Sequence, residues 1–538
     1  MQEIKKQNYL KGAAILAAAS IFVKIVGAIY KLPIFNILDD AGVGSFQISY
    51  SVYTLIFTIA TAGIPAALSR IVSTAAATGK TSLVRMYFSV SLPAFIGIGV
   101  VAMAVMFVFA DTFAGMMNMS TAAPGIRVLA PAALFSCIIS VYRGYAQGFG
   151  NMVPTAASQV IEVVCKAAFG IAAAIWLARM GYESGIVSAG AIMGSTIGLG
   201  LAIPLLVRYK KKIDGELAPD GGGDALPGRA SVFGELMKVS IPITLSAAFM
   251  SIMTVIDNSV VVGRLQSALH LSEHAASEQF GIYAKGLTLY QLPPAIVVPV
   301  SVSIIPAIAA ALARRHDGEA GGIMQSSVKL VNLIAMPAGA GLIVLANPIL
   351  AALYRDTRQT ATTILMILGA ASFFVCLQYI TTAILQANGH ERVALMTFPI
   401  GAIVKIAIGY FLAGNPNFGI IASPIGTLSC FVVIAALNIT FIMIKVKEKP
   451  KFSGVFLKPL LCTAIMGAVA FFTYKLVYLL FSGVLGEGRM AAVAFLAVSM
   501  IVSVAVYAVL IIATRAVTKE DMALVPKGEK LAKLLRIR

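Results

Sequence analysis

Charge is what this chain of 538 residues has least of: 12% of it is Asp, Glu, Lys or Arg, against roughly 25% in an ordinary soluble domain. Carboxylates are scarcer still, 23 against 41 basic residues, and there are four histidines. That shortage removes most routes to catalysis. No GxxxxGK[ST] loop is present to cradle a nucleotide, no HExxH to hold zinc and no GxSxG to raise a nucleophile. Chemistry on this chain, including ATP hydrolysis, is therefore not expected. The nearest metal pattern is His270 and His274 with Glu273 and Glu278, in an expected loop where solvated side chains are the simpler reading. The five cysteines stand singly in apolar stretches, without ligand or CxxC spacing, and read as small packing residues. No metal and no cofactor is expected.

What is there instead is hydrocarbon. Hydrophobic residues make up 59% of the chain, more than a water-soluble protein of this length could hide, and the pattern demands a bilayer. With about 20 apolar residues per crossing, some fourteen spans emerge, near 10–36, 44–72, 83–110, 124–148, 153–179, 185–208, 232–260, 279–312, 323–353, 360–388, 392–413, 418–445, 454–482 and 490–514. The expected fold is an all-α polytopic membrane protein. The first apolar run is too long for the core of a signal peptide and reads as an uncleaved helix.

The net charge of +18 comes from short clusters between apolar runs, which argues for a membrane face and against nucleic acid. Lys80 and Arg85, Arg208 to Lys212, Arg314 and Arg315, Arg392, Lys445 to Lys451 and the tail from Lys519 to Arg538 all fall on one side. The other side holds Asp39, Asp40, Asp111, Glu183 and Glu487 and few cations. Both termini are thus expected in the cytoplasm.

A repeat divides the chain. Gln147, Gly150 and Lys166 recur as Gln386, Gly389 and Lys405 at an offset of 239, and Gly44 and Tyr53 recur as Gly281 and Tyr290 at an offset of 237. Parallel six-helix repeats are implied, with a path between them near mid-membrane. The expected plan is an N-lobe over 1–212 and a Gly- and Pro-rich linker over 213–230. A C-lobe follows over 231–448, then two further helices over 449–516 and a basic tail over 517–538 that would lie on anionic lipid.

Ionisable groups at membrane depth are costly and usually face a cavity or a partner. Lys24 lies mid-span in the first helix with no carboxylate in its own helix, and Lys31 follows two turns later on a similar face. Arg143, Lys166, Lys285 and Lys405 are further candidates to line a cationic cavity, with Glu162 and Asp257 as ion-pair or coupling candidates. Glu162 and Lys166, spaced i, i+4, are expected to pair with each other. Lys31, Lys329 and Lys475 lie close enough to span ends to snorkel to the headgroups. Buried cations outnumber buried carboxylates, so the cavity should attract an anion such as phosphate.

Several of these segments resemble a known family. Gly12, Lys24, Gly27, Gly42-Val-Gly44, Tyr50, Tyr53 and Gly63-Ile-Pro-Ala-Ala-Leu-Ser-Arg70 are similar to the start of stage V sporulation protein B and MurJ-type lipid II flippases. So are Tyr142-Arg-Gly-Tyr-Ala-Gln-Gly148 and Pro154-Thr-Ala-Ala-Ser-Gln-Val-Ile-Glu162. The resemblance, covering about 8–445, is to the polysaccharide-exporter branch of the multidrug, oligosaccharidyl-lipid and polysaccharide exporter superfamily. It implies two lobes that alternate between inward-open and outward-open states, around a cationic cavity gripping the head of a polyprenyl-pyrophosphate-linked saccharide. It also implies a groove for the lipid tail beside the last two helices, and Lys24 as the first-helix cation. The sequence departs from the family in an uncharged stretch from Tyr50 to Ala62, and in placing Lys285 two turns before Leu292-Pro293.

The expected activity is a flippase for lipid II, driven by membrane potential or an ion gradient. It would act as a monomer, with membrane lipids and cell-wall synthesis proteins as partners. Alternatives are a flippase for another undecaprenyl-linked saccharide, or an ion-coupled drug antiporter.

Overall fold

The computed structural model describes residues 2–217, 227–314, 319–449, 454–486 and 488–517. Most of the expected linker, the basic tail from 518 and Arg315 lie outside the described residues. Among the described residues there are no strands. The helices are α1 (Gln2–Ile37), α2 (Asp40–Thr61), α3 (Ile64–Ala77), α4 (Thr81–Val108), α5 (Ala110–Met116), α6 (Ala123–Gly148), α7 (Val153–Arg179), α8 (Ser184–Glu216) and α9 (Arg229–Leu269). They continue as α10 (Glu273–Tyr290), α11 (Leu292–Arg314), α12 (Glu319–Val344), α13 (Ala346–Tyr354), α14 (Gln359–Ala387), α15 (Glu391–Ala413), α16 (Ala422–Lys445), α17 (Leu457–Leu485) and α18 (Arg489–Ala513).

Thirteen of these segments are long and apolar enough to cross a membrane, so the chain is a multi-pass membrane protein. The eighth expected span, 279–312, is instead divided at Gln291 into α10 and α11, leaving a short apolar helix at Leu292–Ser301. Pro293 and Pro294 explain the division. A proline is at home in the first turn of a helix but removes a donor from an interior. The second expected span is broken in the same way at Gly63, before Pro65.

The chain packs into two compact units, Met1–Ala284 and Lys285–Arg538. The boundary falls within α10 and not in the linker that the sequence marks. In the first unit α6 is the buried centre, against α2, α3, α4 and α8, and α9 lies along α2 and α3. The packing of α9 is polar and tight. Asn258 donates to Ser51 at 2.9 Å, Ser251 to Thr58 at 3.2 Å and the Gly63 amide to Thr244 at 3.1 Å. In the second unit α14 takes the central place, against α11, α12 and α16.

The local geometry of the two halves repeats. Gly150 and Gly389, both at the end of a central helix, adopt φ values of +73° and +75°, a region glycine enters without steric cost. The kink between α4 and α5 at Phe109 has φ −96° and ψ 18°, and the kink between α12 and α13 at Leu345 has φ −100° and ψ 19°. Asn118 and Arg355, closing the short helices that follow, both sit in the left-handed region.

Within the second unit, hydrogen bonds fasten the segment of the last two helices to α12 and α13. Tyr507 donates to the Leu333 carbonyl at 2.9 Å and Asn332 to the Val455 carbonyl at 3.2 Å. Arg489 donates through two nitrogens to the carbonyls of Ala352 and Leu353, each at 3.0 Å, closing the C-terminus of α13.

Candidate functional site

The first unit gathers four of the eight charged candidates in one region, about an aromatic pair. The Lys166 ammonium of α7 lies 4.4 Å from the ring centroid of Tyr50 on α2 and 5.3 Å from that of Tyr30 on α1. A cation over two ring faces is held without being neutralised. Tyr30 is fixed by its hydroxyl, which donates to the Ala191 carbonyl at 2.7 Å, and the Tyr50 hydroxyl shares a short hydrogen bond with Ser195. Lys31, half-buried, stands within electrostatic reach of Lys166. Lys24 is exposed, on the same face of α1 as Lys31 and about 10 Å nearer its start.

Two glycines of α8 set the position of these α7 groups. A side chain at Gly194 would come 2.5 Å from the Lys166 carbonyl, and one at Gly198 2.6 Å from that of Glu162. The helices can approach this closely because these positions carry no Cβ.

Glu162 does not pair with Lys166 as the i, i+4 spacing suggests. Its carboxylate lies 3.3 Å from Arg143 of α6, whose Nε also donates to Ser158 at 2.9 Å. The guanidinium comes from a neighbouring helix and reaches the carboxylate sideways, while Lys166 turns to the tyrosine rings. The acid is spent on Arg143 and does not face Lys166.

Beside Tyr50 lies a cavity of about 220 Å³ lined by Gln47, Tyr50, Ser51, Thr54, Ser251 and Thr254. Among the described residues no lining side chain is charged. Amides and hydroxyls that both give and accept hydrogen bonds suit a polyhydroxylated guest. Tyr50 belongs to this cavity and to the Lys166 cluster alike. Sequence reasoning missed the cavity, although Gln47, Ser51, Thr54 and Thr58 already mark a polar stripe at helical spacing along an otherwise apolar span.

The other candidates are placed elsewhere. Asp257 is buried on α9, next to Asn258. Lys405 is half-buried mid-way along α15, its stem within 3.3 Å of where a side chain on Gly426 of α16 would begin. Lys285, expected in the cavity, is instead buried in the second unit, 3.7 Å from Asp356, with its ammonium 5.9 Å from the Tyr354 ring. Arg358 pairs with the same Asp356. Of the expected snorkelling lysines, Lys475 is exposed, and Lys31 and Lys329 are half-buried. Among the described residues no three His, Cys, Asp or Glu side chains gather as a metal ion would need. His274 lies 3.8 Å from Glu278, and His270 ends α9 in the left-handed region.

A family model described as "Polysaccharide biosynthesis protein" matches residues 9–312, more than half of the chain. The chain belongs to that family. It is 26% identical over 532 residues to stage V sporulation protein B of Bacillus subtilis, covering 97% of this chain and 98% of the relative. It is 24% identical over 459 residues to the lipid II flippase MurJ of the same organism, covering 81% and 82% of the two chains. A solved MurJ structure in an inward closed conformation superimposes with a TM-score of 0.64 at 16% identity, over 92% of this chain and 98% of that one. An inward-facing multidrug resistance MATE transporter of the MOP superfamily gives 0.62 at 13% identity, over 78% and 96%. The fold is therefore that of MurJ and MATE proteins, and the named functions among these neighbours are those of transporters rather than enzymes.

Proposed function

We propose that this chain is a flippase carrying a polyprenyl-pyrophosphate-linked saccharide, most specifically lipid II, across a bacterial cytoplasmic membrane. The observation that carries this reading is Tyr50, which presents one ring to the Lys166 ammonium and lines a neutral, hydroxyl-rich cavity. A pyrophosphate needs unspent cations, and Lys166, Lys31 and Lys24 supply them along one pair of helices. A sugar needs neutral donors and acceptors beside an aromatic face, and Gln47, Ser51, Thr54, Ser251 and Thr254 supply those. No bond is made or broken.

Both termini lie in the cytoplasm, where the basic clusters would sit. The two six-helix repeats act as lobes that rock about the substrate. Cationic side chains inside the span respond to membrane potential, which is the proposed drive. The chain acts as a monomer, beside cell-wall synthesis proteins.

The relation to stage V sporulation protein B, as close as that to MurJ, favours a second reading in which the saccharide is another polyprenyl-linked unit. The deciding experiment is binding of purified protein to lipid II, to polyprenyl phosphate and to a neutral glycolipid, with Lys166→Ala and Lys24→Ala alongside. Tightest binding of lipid II, weakened by both substitutions, is the expected result. Binding of a different polyprenyl-linked saccharide in its place selects the second reading. Equal binding of all three lipids, untouched by either substitution, overturns both.

A further inference from the structure

The second unit carries a feature that the transport reading does not use. An apolar cavity of about 420 Å³ opens between the α12–α13 kink, α14 and α17, walled by Val344, Met366, Gly467, Ala468 and Phe471. Met366 and Phe471 are exposed at its mouth. In a membrane-spanning protein such a mouth faces hydrocarbon. One edge of the cavity is polar: Asn347 donates to Thr362 at 3.3 Å, and Thr362 donates in turn to the Arg358 carbonyl at 3.1 Å.

That edge leads to a cluster of arginines. Arg358 is one helical turn from Thr362. Arg355 stands exposed at the end of α13, held in the left-handed region at φ +55°. Arg489 reaches across from the start of α18 to the carbonyls of Ala352 and Leu353, about 8 Å along α13 from Asn347. Asp356 answers Lys285 and Arg358, whereas Arg355 and Arg489 have no ion pair among the described residues. Three exposed arginines thus follow on from the polar edge of a hydrocarbon-lined pocket.

We propose that this is a binding site for one anionic phospholipid, its phosphate on Arg355, Arg358 and Arg489 and one acyl chain in the cavity. The charge selects the headgroup, because a zwitterionic lipid gains little from Arg355 and Arg489, which no carboxylate answers among the described residues, while an anionic one gains with each cation near the surface. The volume selects the tail. It falls at the lower end of the range for pockets that take a drug-sized ligand, enough for part of one chain and too small for a long isoprenoid. Bridging α13, α14, α17 and α18, the lipid would act as a further clamp on the last helix pair.

The test is the affinity of the purified full-length protein for phosphatidylglycerol and phosphatidylcholine of identical chains, read by lipid retention in native mass spectrometry. Preference for phosphatidylglycerol of roughly 30-fold is expected from two unpaired cations at the surface. Arg355→Gln removes an exposed charge and should lower the preference roughly fivefold. Gly467→Leu puts a side chain into the cavity, its Cβ in ordinary contact 3.4 Å from Val344. It should release both lipids. Equal retention of the two lipids by the unsubstituted protein overturns the proposal, as does a preference that survives both substitutions. Displacement of phosphatidylglycerol by an equimolar amount of polyprenyl phosphate also overturns it, assigning the pocket to the substrate's tail. Lipid II binding in the Lys166 cluster should be unchanged in both variants, so failure here leaves the transport reading standing.

Discussion

Gly44 and Gly281 are two ends of one reciprocal contact. A side chain on Gly44 would fall 2.5 Å from the carbonyl of Ser277, and one on Gly281 would fall 1.8 Å from the carbonyl of Asp40. Residues 40 and 277 are separated by 237 positions, as are 44 and 281. Each helix therefore presents to the other the equivalent of what it receives, the signature of a local two-fold relation between α2 and α10. Ser277 adds a hydrogen bond to the Ala41 carbonyl at 3.0 Å. Gly281→Ala forces backbone apart, since the atom met is a carbonyl that cannot rotate away. The expected cost is roughly 1–3 kcal/mol, read as a lower midpoint in thermal unfolding. Gly27→Ala, with nothing within 4 Å, is the control. Equal midpoints for the two variants would refute the close crossing.

Lys166 and Tyr50 separate charge from shape in the proposed site. Lys166→Met keeps most of the stem and removes the ammonium, so affinity for a pyrophosphate-linked lipid should fall by about tenfold or more while protein stability changes little. Tyr50→Phe keeps the ring beneath Lys166 but loses the hydroxyl bonded to Ser195. It should weaken binding of the saccharide-bearing lipid more than binding of polyprenyl phosphate. Titrations of both lipids against both variants check this, and a parallel loss for the two ligands in Tyr50→Phe would contradict it.

Asp356 is the keystone of a buried charge cluster outside the membrane-spanning helices. Burial pushes its carboxyl pKa up, but hydrogen bonds from Arg358 and the charges of Arg358 and Lys285 outweigh burial and hold it below the ordinary carboxylate range. A depressed folded pKa contributes stability that is present above the unfolded value and lost as pH falls through the folded one. Stability from this cluster should therefore be full at neutral pH and decline below about pH 4. Asp356→Asn removes the carboxylate 3.7 Å from Lys285, which is 6% exposed, and should cost up to about 3–5 kcal/mol at pH 7. The gap between the two proteins should narrow in acid. Chemical unfolding at pH 7 and pH 3.5 measures it, and a gap independent of pH would count against the role given to Asp356.

The fold was largely legible because a bilayer turns apolar run length into a ruler. The expected 153–179 and 392–413 agree with α7 and α15 to within a residue. The ruler fails where proline interrupts, at Gln291 and at Gly63, because hydropathy does not register a missing donor. The site was legible only in part. Lys31, Lys166, Arg143 and Glu162 were found as costly charges, and four of the eight charged candidates do meet in one region. Their partners were not, since tertiary neighbours such as Tyr30, Tyr50 and Ser195 come from other helices. Lys285 looked like a cavity cation for the same reason: Asp356 lies 71 positions away in sequence.

The sharpest case is Glu162. Within α7 its spacing to Lys166 favours a pair worth about 0.2–0.5 kcal/mol on an isolated helix. The tertiary alternative is a guanidinium braced by Ser158 and 3.3 Å from the carboxylate. Arg143 and Glu162 have side chains 17% and 34% exposed, so their attraction is screened less than that of a surface pair. A double-mutant cycle on unfolding free energy distinguishes the two. Arg143→Met combined with Glu162→Gln should show a coupling of about 0.5–3 kcal/mol, and Lys166→Met combined with Glu162→Gln should show close to none. Transport should follow the same division, with Lys166→Met losing substrate affinity and Arg143→Met losing stability first. A larger coupling for the Lys166 cycle would mean that Glu162 neutralises Lys166 after all, and the cluster beside Tyr50 would no longer hold a free cation for an anionic head.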